Sequence, residues 1–530
     1  MTKIALHSAL PLLLLGANSW GDGQVVARPA GPAPNIEFPP TPVPVSRGIP
    51  EAFQERRNIH VLPVLAVAEI QAADAELRKK IGNIFPGPER VGVVRSVGAN
   101  PLSIARGSAL KKKTPDGADV WTLAIRSPGA FGTRLHFSGF DVGAGSVLVY
   151  AEGASGIIAR GPYTRKGPNK NGEFWTSSLP GDTVFIEVSG TDNPIFEIKE
   201  IVHFDKHPGG VGAEEAQGLL PCQADANCFS TDTAGRDATG QMNYNLGAGS
   251  FLCSGTVLND DDPETSVPYF LTAFHCLSTQ AAVDTLEVVW RWGTDSCNGA
   301  LPDFFALPRT DGGTLLETNP TNTGNDMTFI RLDGVAVTDQ AGSTNAALPS
   351  SVQGYHHPAG SWKRGTTSTN NRVVTPCLNT PTSNYHYVVE TVGVTEGGSS
   401  GSAIFDGGSR VMGQLLGGCC PRSLNWPGNP CCLAACSNRN LTNAVYGRFD
   451  VSFPFIDPWL VLGGTVRVDG GFVGTELGTP ANPFNTVNEA NNLAWDGARI
   501  KIKAGSYNET LIFSKELLVL ADGGTVTIGQ

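Results

Sequence analysis

Three residues along this chain could together cleave a peptide bond by nucleophilic attack: His275, Asp326 and Ser400, in that order and separated by 51 and 74 residues. His275 closes the apolar run Tyr269-Phe270-Leu271-Thr272-Ala273-Phe274 and is followed by Cys276. Asp326 heads the alternating segment Met327-Thr328-Phe329-Ile330-Arg331-Leu332. Ser400 stands in the turn Glu396-Gly397-Gly398-Ser399-Ser400-Gly401-Ser402, ahead of Ala403-Ile404-Phe405. A serine hydroxyl is a weak nucleophile until an imidazole takes its proton, and that imidazole needs a carboxylate to fix its tautomer and stabilise its charged form. Glycines beside Ser400 let the backbone N–H groups of Gly398 and Ser400 converge on one point as an oxyanion hole. Each element alone is ordinary: a His-Cys pair is more often structural, Gly-Ser-Ser-Gly is more often a plain turn, and Asp326 has acidic neighbours in sequence. Their joint occurrence in this order selects the catalytic reading, a chemistry that requires no cofactor and no metal.

Residues so far apart need a rigid frame, and composition says that the frame is made of strands. Glycine (64) and proline (37) are abundant in the 530 residues and charged residues reach only 16%, which favours short strands and many turns. The length predicts several domains. Net charge is −11, and 11 Lys and Arg against 21 Asp and Glu in 220–460 carry nearly all of it. That balance excludes a general nucleic-acid binder, whose affinity rests on clustered cations.

Residues 1–21 read as a signal peptide, a short basic start and an apolar centre over 4–16 that is too brief to span a bilayer. No later stretch approaches that length, so no membrane span is expected in a secreted, extracellular protein. Residues 22–90 read as a proline-rich spacer and leader, with a short helix at 68–81. In 91–207 apolar residues alternate at Trp121-Leu123-Ile125, Leu135-Phe137, Val147-Val149 and Val184-Ile186, predicting an antiparallel β-sandwich. Residues 208–219, with Gly209-Gly210 and Glu214-Glu215, form a linker open to processing. The region 220–463 holds all eleven cysteines, an odd number suited to disulfides in an oxidising compartment.

The segment Thr272-Ala273-Phe274-His275-Cys276, Asp326 and Gly398-Ser399-Ser400-Gly401-Ser402 resembles the trypsin-like serine proteases. It is more closely similar to bacterial secreted lysyl endopeptidases, through Gly393-Val394-Thr395-Glu396, His356-His357-Pro358 with Lys363-Arg364, and Gly413-Gln414-Leu415. The resemblance covers about 220–460 and implies two six-stranded antiparallel barrels with the active site between them, a pro-domain at 91–207, and protein or peptide substrates. It implies disulfides Cys253 to Cys276, Cys228 to Cys297, and Cys222 to one of the 419–436 cysteines, and leaves Cys377, Cys419, Cys420, Cys431, Cys432 and Cys436 without an assigned pairing. Trypsin-like enzymes activated by a buried N-terminal amine carry an aspartate directly before the nucleophile, where this chain has Ser399, so activation by that ion pair is not expected. In the lysine-cleaving relatives a histidine and an aspartate stand where this chain has Leu416 and Ala444. With Val394 at the pocket floor and Gly418 beside it, the resemblance implies a Lys P1 side chain, and the pocket residues themselves an apolar or small one.

Residues 464–530 resemble the opening of a pectate-lyase-like right-handed parallel β-helix, through Gly478-Thr479, Asn482-Pro483-Phe484, Gly505 and Tyr507. The expected fold class is therefore mostly β: a two-barrel protease domain after a β-sandwich pro-domain and before an incomplete β-helix that could contact glycan or a cell surface. The rival reading is a surface or glycan-binding protein with an inert protease fold. Other groups take plain roles: His356-His357 a strand-turn role, the 419–436 cysteines disulfides rather than zinc, Lys111-Lys112-Lys113 a solvated turn, and Trp290 and Trp292 one face of a core strand.

Overall fold

The computed structural model describes residues 26–33, 42–45, 59–81, 88–210, 222–370, 380–419 and 443–529, apart from 105–106, 108, 115–116, 192, 263–265, 336, 463, 495–497 and 516. The signal-peptide reading, most of the linker, Cys377 and Cys420 to Cys436 lie outside them. The fold is mostly β.

Alternation works as the pattern requires in the N-terminal sandwich. Ile59–Val61, Asp119–Arg126, Thr183–Ser189, Ser146–Gly153 and Gly156–Thr164 form one sheet in that order. Phe174–Trp175, Gly132–Asp141, Ile195–Phe204 and Glu89–Ser96 begin the other. Leu123, Ile125, Leu135, Phe137, Val147, Val149, Val184 and Ile186 meet in one core between them. Lys111-Lys112-Lys113 is not a turn: Leu110–Lys113 is an edge strand on Asp119–Arg126. The ion pair of Lys111 with Asp119 and its place over the Trp121 ring fit lysines to that edge.

The second sheet does not stop at the sandwich. Glu89–Ser96 pairs antiparallel with Gly249–Leu258, the strand that carries Cys253 and Ser254. Through it the sheet runs into a first barrel of Thr239–Leu246, Gly249–Leu258, Tyr269–Ala273, Glu287–Val289, Arg309–Asp311 continued as Gly313–Asn319, and Met327–Leu332. A second barrel closes through six antiparallel strands: Arg410–Cys419, Ala403–Phe405, Ser351–His356, Arg364–Thr369, Tyr385–Val392 and Asn443–Arg448, the last pairing back to the first. The helix Phe449–Leu462 then lays Phe449, Phe453, Ile456 and Leu460 into the principal core, the spacing of one helical stripe. Trp290 and Trp292 are buried but do not share a strand face. Arg291 between them has φ 61°, and the two indoles enter different cores.

The proline-rich leader is not a free spacer over residues 26–33. Ala27–Arg28 pairs with Gly342–Thr344 and Gly31–Pro32 with Asp339–Gln340. Arg28, 2% exposed, sets its Nε 2.8 Å from Asp261 and its guanidinium over the Phe453 ring. Gly342 is required there, since a Cβ on it would meet the Arg28 carbonyl oxygen. At the other end, Thr465–Val468, Arg499–Tyr507 and Leu518–Ile528 pair in parallel, with Val487–Leu493 a helix over Val466, Ile500 and Ile502. Arg467 ties this piece to Asp262 by contacts of 3.0 Å to both carboxylate oxygens.

Candidate active site

His275 follows the strand Tyr269–Ala273, and Asp326 precedes its partner strand Met327–Leu332. Antiparallel pairing of Ala273 with Met327 brings the two strand ends together. The Phe274 N–H donates to the Asp326 carbonyl at 3.0 Å, the His275 N–H donates to Asp326 Oδ1 at 3.0 Å, and His275 Nδ1 lies 2.7 Å from Asp326 Oδ2. Thr321 Oγ donates to Asp326 Oδ1 at 2.5 Å, and Thr321 is itself held through its carbonyl by the Tyr385 hydroxyl at 2.7 Å. Both His275 and Asp326 are buried. Asp326 has φ 63°, a left-handed conformation that a non-glycine residue keeps only where its surroundings enforce it. The neighbouring Asn325 supplies that enforcement: its side-chain amide donates to the Arg448 carbonyl at 2.7 Å and to Ser452 Oγ at 2.6 Å, and its carbonyl accepts from Gln414 at 2.8 Å. The second barrel thus grips the residue next to the carboxylate that meets His275 of the first.

The Ser400 turn is built from the opposite side. Gly398 and Gly401 have φ 89° and 82°, conformations that favour glycine. A Cβ on Gly401 would lie 2.2 Å from Thr272 Oγ and 2.9 Å from the Ala273 nitrogen, which shows how closely the serine turn abuts the strand leading to His275. Ser254 joins the pieces: its N–H donates to the Ser400 carbonyl at 2.8 Å, its hydroxyl donates to the Gly398 carbonyl at 2.9 Å, and the same hydroxyl oxygen accepts from the His357 N–H at 3.0 Å. The Gly397 carbonyl accepts from the Ala359 N–H at 2.6 Å. In a trans peptide the C=O and the following N–H point to opposite sides, so this bond turns the Gly398 N–H away from Ala359.

Ser399 takes part through its hydroxyl, which accepts from the Glu396 N–H at 3.0 Å and lies 2.7 Å from His356 Nδ1. Burial, with the Arg364 charge, pushes His356 down to about 3, and burial with Lys363 holds His357 well below the usual imidazole range. Both rings are therefore neutral parts of the scaffold, with His357 Nδ1 3.0 Å from the Ser361 carbonyl. Among the described residues no group of His, Cys, Asp and Glu is arranged to hold a metal.

Cys253 is joined to Cys276 and Cys228 to Cys297, and Cys222 is also disulfide-bonded. Val394, Leu416 and Ala444 are buried and Gly418 is half-buried, with Ala444 paired to Val388 on one side and Gly418 on the other. The sequence reading did not find Thr321, Asn325 or Ser254. Each acts through a contact with residues distant in the chain, and a lone Thr, Asn or Ser carries no local signal of that.

Residues 220–425 match the family described as "Lysyl endopeptidase, C-terminal domain". The chain is similar to a lysyl endopeptidase of Pseudomonas aeruginosa, 26% identical over 334 residues, covering 58% of this chain and 70% of that protein. Among solved structures, an HtrA-type protease with a tripeptide is 15% identical over 46% of this chain and 66% of its own, with a TM-score of 0.30. A thermostable serine protease from an extremophilic microorganism is 13% identical over 42% of this chain and 96% of its own, with a TM-score of 0.27.

Proposed function

We propose that residues 220–463 are a serine endopeptidase. Ser400 attacks the peptide carbonyl, His275 takes its proton and then delivers it to the leaving amine, and Asp326 holds the His275 tautomer. The N–H groups of Gly398 and Ser400 hold the oxyanion, and water hydrolyses the acyl-enzyme. The observation that carries the reading is the 2.7 Å contact of His275 Nδ1 with a buried carboxylate whose other oxygen takes both the His275 N–H and the Thr321 hydroxyl. A carboxylate so fixed can orient only one face of the imidazole. The protein acts outside the cell on protein or peptide substrates, and the sandwich serves as its pro-domain, released in function by processing within 208–219. The 464–530 piece is the start of a parallel β-helix and a contact point for glycan or a cell surface.

A fluorophosphonate probe on the purified protein tests this, with Ser400→Ala as control. Stoichiometric labelling of the wild type alone is expected. No labelling of correctly folded wild type would leave an inert protease fold as the answer.

A further inference from the structure

The turn that carries the nucleophile rests on a second backbone turn, and that one rests on the residues that leave the sandwich. We infer that residues 208–210 position the Gly398 N–H of the oxyanion hole, acting through the 357–361 turn, and that they stay seated there in the working enzyme; the inference rests on the serine endopeptidase reading.

Three layers of backbone stack with no side chain between them. A Cβ on Gly398 would lie 2.9 Å from the His357 carbonyl oxygen and 3.2 Å from the Ala359 nitrogen. A Cβ on Gly360 would lie 2.9 Å from the Pro208 carbonyl oxygen, and one on Gly210 would lie 2.8 Å from Ser361 Cα. Gly398, Gly360 and Gly210 have φ 89°, 73° and 60°. At each layer glycine supplies both the close approach and the left-handed turn.

Hydrogen bonds fix the stack. Trp292 Nε1 donates to the Gly209 carbonyl at 3.0 Å and to the Gly360 carbonyl at 3.2 Å, so one indole bridges two layers. Gln241 Nε2 donates to the Pro208 carbonyl at 2.6 Å. Pro208 and Gly209 are buried. His207 anchors the segment, its ring centroid 5.6 Å from that of Phe304 and 5.3 Å from that of Phe305. Both phenylalanines and Trp292 belong to the core that fills the sandwich.

Ala359 is where the stack acts on the site. Its φ of 49° is one that a residue with a Cβ keeps only where its surroundings enforce it. In that conformation its N–H donates to the Gly397 carbonyl at 2.6 Å, and because the peptide is planar this bond sets the direction of the Gly398 N–H. Gly360 and Ser361, the next two residues, are the ones that Pro208 and Gly210 press against. Withdrawing 208–210 opens space over them and takes one acceptor from Trp292. The 357–361 turn then loses contacts that hold Ala359 left-handed, and the 397–398 peptide gains freedom to rotate.

The test compares wild type with Gly210→Ala and Gly181→Ala in the full chain. Gly181 has φ 75° and no atom within 4 Å of an added Cβ, so its variant carries the same backbone strain without pressing on a neighbour. The substrate is a peptide amide with Lys or Leu at P1, whichever wild type turns over faster, and the ligand is the aldehyde of the same peptide, which binds as a tetrahedral adduct. Expected for Gly210→Ala is a kcat lower by about tenfold or more, short of the ~10²–10³ that follows complete loss of an oxyanion donor, with KM within about twofold and aldehyde affinity falling in step with kcat/KM. Gly181→Ala should keep its kcat. A folded Gly210→Ala that turns over like Gly181→Ala, or one that changes only KM, overturns the inference and leaves the protease reading standing. A wild type that a fluorophosphonate does not label removes both. If Gly210→Ala fails to fold, Trp292→Phe takes its place, since it keeps an aromatic ring and deletes the bridging donor; an unchanged kcat there overturns the assignment.

Discussion

Replacing Asp326 with Asn should abolish most of the activity while leaving the fold intact, and the structure says why the isosteric change is not tolerated. Oδ1 of Asp326 accepts two donors, the His275 N–H at 3.0 Å and the Thr321 hydroxyl at 2.5 Å. Only a carbonyl oxygen can remain there, so the Asn amide is pinned with its NH2 group at the Oδ2 position. That group donates, and the atom facing it is His275 Nδ1, 2.7 Å away. Nδ1 must then be the unprotonated nitrogen and Nε2 must carry the hydrogen, which leaves the imidazole unable to take the Ser400 proton. A wrong tautomer at this position costs on the order of 10⁴-fold in kcat, or about 5 kcal/mol at about 1.4 kcal/mol per tenfold. The assay is kcat/KM on a peptide substrate, with the urea midpoint measured beside it. A loss of less than tenfold in a folded Asp326→Asn protein would refute the tautomer argument. A parallel loss of stability would show that the carboxylate is mainly structural.

Three further outcomes are expected. Arg28→Ala strands Asp261 and removes a contact on Phe453; because Asp261 is 39% exposed, the loss should be about 2 kcal/mol, below the ~3–5 of a fully buried pair, and an unchanged urea midpoint would refute it. His356 titrates near 3 in the fold against about 6.5 unfolded, so the stability it contributes is present above about 6.5 and is lost as pH falls toward 3. His356→Gln should therefore lose less stability than wild type between pH 6.5 and pH 4, and equal losses would refute the assignment. Because Ser399 is anchored by His356 and the Glu396 N–H and not by an amine, activity should persist when extra residues precede Cys222. Strict dependence on one defined N-terminus would overturn this.

Legibility from sequence divides along the range of the interactions. Where a residue's partner is its own alternation, as for Leu135 and Phe137 or Val184 and Ile186, the pattern gave both the strand and its buried face. The helix Val67–Ile81 begins within one residue of the reading of 68–81. The meeting of His275 with Asp326 had a local mark, because each stands at the end of an apolar or alternating strand. What leaves no local mark is pairing between distant edges. Nothing in Ala27-Arg28 announces Gly342–Thr344 as its neighbour, and three lysines read as a turn until Asp119 and Trp121 stand across from them. Trp290 and Trp292 misled because period-two counting assumes extended backbone, which Arg291 breaks at φ 61°.

Those distant edges have a common logic. A strand edge left open exposes a row of unpaired N–H and C=O groups and invites pairing with another chain. Within 220–463 two strand edges, at Gly249–Leu252 and at Gly342–Thr344, are covered by residues that precede 210. Val93, Gly92, Arg90 and Glu89 pair with 249–252, and Ala27–Arg28 with 343–344. The first of these strands also bears Ser254, whose backbone and hydroxyl hold the carbonyls of Ser400 and Gly398. Pairing at 249–252 therefore braces the strand that holds the Ser400 turn, two residues before the Ser254 bonds. The sandwich is thus joined to the candidate site through backbone hydrogen bonds of a continuous sheet, a connection that a tethered spacer could not provide.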